Sequence, residues 1–142
     1  MRNVLIIYGS SVGQIRKLAH RIKGYLKKDN VRLINVSQVT KLMVMKSDLI
    51  LLGSSTWGSE DIKDDFESFS AAMDELMLKQ KPVAVFGSGE RRNYSEVFCQ
   101  SVNLISERVV DYGGKLTGYG LKVDGEIELN IDKIETFVTS IQ

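Results

Sequence analysis

Three short segments of this chain combine residue types that bind anions and flat rings. The first is Gly9-Ser10-Ser11-Val12-Gly13-Gln14-Ile15, which runs straight into an amphipathic stretch. Glycines and serines ahead of a helix N-terminus offer unpaired N–H groups, a dipole end and hydroxyl donors, all suited to a phosphate. It lacks the Gly-Lys-Ser/Thr ending of a P-loop and the Gly-x-Gly-x-x-Gly of a dinucleotide turn. Gly and Ser serve turns equally well, so alone it also reads as a plain strand-to-helix turn. The second segment is Gly53-Ser54-Ser55-Thr56-Trp57-Gly58-Ser59. Trp57 cannot bury its large surface within such a loop; it either folds onto the helix expected from Asp61 or covers a planar ligand. The third is Gly87-Ser88-Gly89-Glu90-Arg91-Arg92-Asn93-Tyr94, another small-residue loop with an aromatic. Two aromatics on neighbouring loops beside a phosphate-suited turn describe a pocket for a phosphorylated flat ring. Other chemistries find little support. With one cysteine (Cys99) and one histidine (His20), the chain has no internal disulfide and no multi-cysteine metal site.

The elements that would hold these segments follow from hydrophobic periodicity. Val4–Tyr8, Val31–Val36, Leu49–Leu52, Val83–Phe86 and Leu116–Val123 read as strands. The first, third and fourth are almost wholly apolar, as central parallel strands covered on both faces are. Pro82 stands at the start of the fourth, where a missing N–H does little harm. Ile15, Leu18, Ala19, Ile22 and Leu26 recur at helical spacing, with Arg16, Lys17, Arg21, Lys23, Lys27 and Lys28 largely opposite. A short segment at Val39–Met45 is followed by helices over Asp61–Leu78, Ser95–Tyr112 and Leu129–Ile141, with Gly113-Gly114 as a C-terminal stop. Alternation of this kind gives an α/β three-layer sandwich, a five-stranded parallel sheet in the order 2-1-3-4-5 with helices on both faces. In that topology ligands bind beyond the carboxyl ends of the strands, near the switch point of strands 1 and 3. The three segments all fall there.

Composition agrees with one soluble cytoplasmic domain spanning residues 1–142. The chain is 43% hydrophobic and 26% charged, with no apolar run long enough to span a membrane and none resembling a signal peptide. The net charge of +1 conceals an asymmetry: residues 1–47 carry ten Lys/Arg and a single acid, Asp29. These cations sit mainly on one amphipathic helix, which reads as a solvated face rather than a nucleic-acid surface. A monomer with no nucleic-acid or membrane partner is expected.

Taken together, Tyr8-Gly9-Ser10 through Gly13, Leu52-Gly53-Ser54-Ser55-Thr56-Trp57-Gly58 with Asp64-Asp65-Phe66-Glu67, and Phe86-Gly87-Ser88-Gly89 with Phe98-Cys99 resemble the short-chain flavodoxins. The resemblance covers essentially the whole chain, and the final strand leaves no room for the insertion of the long-chain class. It implies an electron carrier, not an enzyme, that binds FMN and shuttles single electrons through a stabilised neutral semiquinone. It further implies that Ser10, Ser11, Gly13 and Ser55 bind the phosphate, with Val12, Gln14, Ile15 and Thr56 completing the two loops. Trp57 would cover one flavin face and Tyr94 the other, and the Gly58–Ser59 peptide would face flavin N5. The amides of Glu90 and Cys99 and the carbonyl of Val97 would meet the pyrimidine edge, and Ser88 and Gly89 belong to the cofactor-binding set. Redox partners, a donor reductase and an acceptor enzyme, would include a basic one docking at Glu60, Asp61, Asp64, Asp65 and Glu67.

The chain departs from the family pattern at several places. Val12 and Ile15 replace hydroxyl residues of the phosphate loop, removing two side-chain hydrogen bonds worth about 1.5–3 kcal/mol each to a charged group. Gln14 stands where Asn is common, and Arg16 is placed to compensate by reaching the phosphate. The loop after strand 4 is two residues longer than usual and carries Arg91-Arg92. Ser59 stands where an acid often follows the glycine, which should make the semiquinone/hydroquinone couple less negative. A phosphoacceptor receiver domain shares the topology but needs acids where Tyr8-Gly9-Ser10 and Gly53-Ser54 stand. Two alternatives stay open: a flavin-free binding module, and a flavodoxin-like activator of ribonucleotide reductase.

Overall fold

The computed structural model describes residues 1–9, 13–56, 78–89 and 100–142. Its strands are β1 (Asn3–Gly9), β2 (Asn30–Asn35), β3 (Leu49–Thr56), β4 (Pro82–Gly89), β5 (Lys115–Leu116) and β6 (Leu121–Asp124). Its helices are α1 (Gly13–Tyr25), α2 (Lys41–Met45), α3 (Gln100–Asp111) and α4 (Ile131–Ile141). The expected helix over Asp61–Leu78, and the Ser95–Cys99 start of the next, lie outside the described residues apart from Leu78.

All strand pairings are parallel, in the order β2-β1-β3-β4-β5, with β6 also pairing β4. This is the order read from the sequence, and it follows from strands that are apolar on both faces. Successive residues of β1, β3 and β4 enter opposite layers. Val4, Ile6, Leu49, Leu51, Ala84 and Phe86 pack with Leu18 and Ile22 of α1, with Leu26 just beyond it, and with Ile134, Phe137 and Val138 of α4. Leu5, Ile7, Ile50, Leu52, Val83 and Val85 pack with Val102, Ile105 and Val109 of α3 and with Val44 of α2.

The strands differ from expectation in two ways. First, β3 and β4 run past the expected ends at Leu52 and Phe86 to Thr56 and Gly89, so Gly53–Thr56 and Gly87–Gly89 are strand rather than loop. Second, the fifth strand, expected to run unbroken over Leu116–Val123, is two pieces. Leu116 pairs with Val83 and Leu121 with Phe86, so the chain advances five residues while β4 advances three. The two extra residues form a bulge at Thr117-Gly118-Tyr119-Gly120. Glycine is required there: Gly118 has φ +70, and a Cβ on Gly120 would stand 2.7 Å from Val102 Cγ1. The glycine stop after α3 is as expected: Gly113, at φ +82, donates to Val110 O (3.0 Å) and Gly114 to Val109 O (2.9 Å), which satisfies the last carbonyls.

Candidate functional site

Because every strand is parallel, their carboxyl ends share one edge. The register lays them out as a row: Gly9 opposite Ser54, Ser55 opposite Ser88, Thr56 opposite Gly89, and Gly89 opposite Asp124. Helix α1 begins at Gly13, four positions beyond the end of β1, so its first-turn N–H groups open onto this row. No acid stands in that first turn. The N-terminal end of α1 therefore presents its partial positive charge without an internal counter-charge.

Beneath the row the packing is tight. A Cβ on Gly53 would lie 2.2 Å from the Phe86 ring, so the ring lies against the bare glycine backbone. Two residues on from Phe86 and in the same layer, Ser88 is fully buried, and its Oγ has no hydrogen-bond partner. Burying a hydroxyl unpaired costs about 1–3 kcal/mol, and such groups are rare in folded proteins. Ser54, also fully buried, belongs to the opposite layer.

A second set of contacts ties the strand ends together. Gln14 Nε2 donates to Gly125 O at 3.0 Å, and Gly125 N donates to Gly89 O at 2.8 Å. Asn130 Nδ2 donates to Asp124 O (2.9 Å) and Glu126 O (2.7 Å) from a buried position. Gly125 itself has φ +75, which a side chain would strain. The first turn of α1, the turn after β6 and the end of β4 thus form one hydrogen-bonded unit. Neither Gly125 nor Asn130 was singled out from the sequence; an Asp-Gly pair following a strand was the available signal.

Of the expected site residues, Gly13, Gln14, Ile15, Ser55, Thr56, Ser88 and Gly89 lie on this edge. The Ile15 side chain is fully buried in the apolar layer under α1, so what this residue can offer a ligand is its backbone N–H. Ser10, Ser11, Val12, Trp57, Gly58, Ser59, Glu90, Tyr94, Val97 and Cys99 lie outside the described residues, as do Arg91, Arg92 and the acids Glu60, Asp61, Asp64, Asp65 and Glu67. Among the described residues there is no cluster of His, Cys, Asp and Glu able to hold a metal ion, and no helix is long and apolar enough to cross a membrane.

The edge is that of a well-populated family. The flavodoxin family model matches residues 6–136. The flavodoxin of Maridesulfovibrio salexigens is 35% identical over 133 residues, covering 90% of this chain and 90% of its own. Oxidised flavodoxin 2 from Bacillus cereus superposes with a TM-score of 0.85 at 33% identity, over 98% of this chain and 97% of that one. A Fusobacterium nucleatum flavodoxin bound to flavin mononucleotide shares the fold, with a TM-score of 0.84 at 22% identity over 99% and 97% of the two chains.

Proposed function

The chain belongs to the flavodoxin family, and we propose that it carries single electrons between a donor reductase and an acceptor enzyme as a cytoplasmic, single-domain FMN protein. It is an electron-transfer protein rather than an enzyme. When bound, FMN would supply the one-electron redox chemistry, and the residues of this chain would hold and shield it.

One observation carries the assignment of the cofactor to this edge: the buried, unpartnered hydroxyl of Ser88 beside Ser55, below the N-terminus of α1. A ligand oxygen at the mouth of α1 gives that hydroxyl the acceptor it lacks, and the charge there suits a phosphate. The first-turn amides of Gly13, Gln14 and Ile15 hold the anion, assisted by Ser10, Ser11 and Ser55. Thr56, Trp57, Gly58 and Ser59 on one loop, and Gly89, Glu90, Tyr94, Val97 and Cys99 on the other, enclose the ring and exclude water from it. The family resemblance and the two loop sequences support this division of labour. A basic partner docks at Glu60, Asp61, Asp64, Asp65 and Glu67, a density of acids that favours steering.

The test is an FMN titration of the purified chain, followed by stepwise anaerobic reduction in a spectrometer. Tight binding and a long-wavelength semiquinone band are expected. Binding without that band would move the case to two-electron flavin chemistry, and absence of binding would make the chain a flavin-free module.

A further inference from the structure

The exposed face of α1 is built differently from an ordinary solvated helix face. Lys17, His20, Arg21, Gly24 and Lys27 recur at three- and four-residue steps opposite the buried Ile15, Leu18, Ala19, Ile22 and Leu26. With Tyr25 they line a groove of about 540 Å³. The helix contains no acidic residue. Like-charged neighbours at Lys17/Arg21 repel across one turn, where solvated faces usually alternate signs. Arg21 pairs with Glu128 across from α4's leading turn, and the hydrogen bond it donates to that carboxylate raises its pKa. The other cations of α1 find no carboxylate among the described residues.

Gly24 gives the groove its shape. Glycine within a helix is destabilising, and here neither usual reason for it applies. Its φ is not positive, and nothing lies within 4 Å of where its Cβ would be. Its effect is to keep the middle of the groove open.

We propose that this groove is a docking site for an acidic segment of a partner protein, distinct from the acidic run Glu60–Glu67 in the sequence. Charge complementarity selects the occupant: the cations from Lys17 to Lys27 run along roughly 12 Å of α1 and into the turn after it, the reach of a few carboxylates on one segment. Tyr25 is half-buried, which leaves no free aromatic for stacking bases. None of the exposed large apolar side chains, such as Leu42, Met45 and Leu129, lines the groove, so it has no anchor for lipid. The groove starts about one turn below the end of α1 that faces the strand row. A partner seated there stands beside the cofactor edge.

The experiment is an amide-shift titration of the isotope-labelled chain, with and without FMN, using a glycine-flanked hexaglutamate peptide as probe. Shifts should map to residues 17–27 and weaken as salt rises. The Lys17→Glu/Lys27→Glu variant should lose about tenfold or more in affinity. Gly24→Leu, which fills the groove without changing charge, should lose about threefold or more while leaving FMN affinity intact. Lys41→Glu/Lys46→Glu on α2, on the other side of the sheet, should stay within about twofold. Equal losses in the α2 variant, or full binding by Gly24→Leu, would reduce the effect to a general positive field and overturn the proposal. Tighter binding of a thymidine hexanucleotide or of anionic vesicles than of the peptide would overturn it in favour of those partners. Failure to bind FMN would sink the carrier reading alone, because the peptide titration is run without flavin as well.

Discussion

Gln14→Ala tests whether the two halves of the cofactor edge are coupled through this side chain. The substitution removes the 3.0 Å bond from Nε2 to Gly125 O and leaves the backbone of α1 untouched. A neutral hydrogen bond contributes about 0.5–1.5 kcal/mol net, and Gly125 is partly exposed, so water replaces some of it. The direct loss should therefore be near 1 kcal/mol, or about 3–4 °C in the melting temperature of a chain this size. Binding is the more telling readout. The turn held by Gln14 is also hydrogen-bonded to Gly89, from which the ring-side loop departs. Loosening it should weaken riboflavin, which has no phosphate, by about fivefold, and FMN by a similar factor. Gln14→Asn, one methylene shorter, should fall short of Gly125 O and behave like the alanine variant. Fluorescence titration of both flavins on the three proteins decides the matter. If FMN weakens while riboflavin does not, Gln14 acts at the phosphate alone and the coupling argument fails.

Four further outcomes follow from the same packing. Ser88→Ala should leave the apo protein as stable or more stable, since it removes an unpaired buried hydroxyl, yet weaken FMN by about three- to tenfold; melts and titrations measure the two effects separately. Gly53→Ala should cost about 1–3 kcal/mol or more in denaturant unfolding, because the new methyl collides with the Phe86 ring. Arg16→Ala removes an exposed cation from the first turn of α1 and should weaken FMN more than riboflavin; unchanged FMN affinity would refute a role at the phosphate. Ile15→Thr should lower apo stability by about 1–2 kcal/mol through lost burial, measured by urea unfolding, and strengthen FMN binding if the new hydroxyl reaches the phosphate.

The parts of the fold that were legible in the sequence are those whose environment is uniform along the element. β1, β3 and β4 are buried on both sides, so Val4–Ile7, Leu49–Leu52 and Val83–Phe86 show as unbroken apolar runs. The split fifth strand was not legible, because Leu116, Gly118, Gly120 and Leu121 give no local sign of two added residues. What fixes the bulge is distant: Ser140 on α4 faces Gly118, and Val102 on α3 faces Gly120. The site shows the same division. Parallel order alone puts the loops after Tyr8, Leu52 and Phe86 at one edge, and residue types do the rest. The Gln14–Gly125 bond joins residues 111 positions apart, and no local pattern encodes it.

Ile15 and Ser88 make opposite substitutions at one boundary. Both side chains enter the layer shared by α1 and the sheet, one at the mouth of the helix and one at the end of β4. Ile15 puts apolar surface where the family pattern has a hydroxyl, and its burial strengthens the core whether or not a ligand is bound. Ser88 puts a hydroxyl where the same layer is otherwise apolar, a cost that a ligand oxygen at this edge would offset. On the proposed reading, the phosphate would rely less on side-chain donors and more on backbone amides, with Ser88 adding a donor from the sheet. Counting hydroxyls in the loop therefore overstates the affinity lost. A backbone N–H set by helix geometry needs no rotamer fixed on binding, whereas a threonine hydroxyl does. On the proposed reading, binding at this edge would draw on the α1 first turn, which Gln14 ties to Gly125 and, through it, to Gly89.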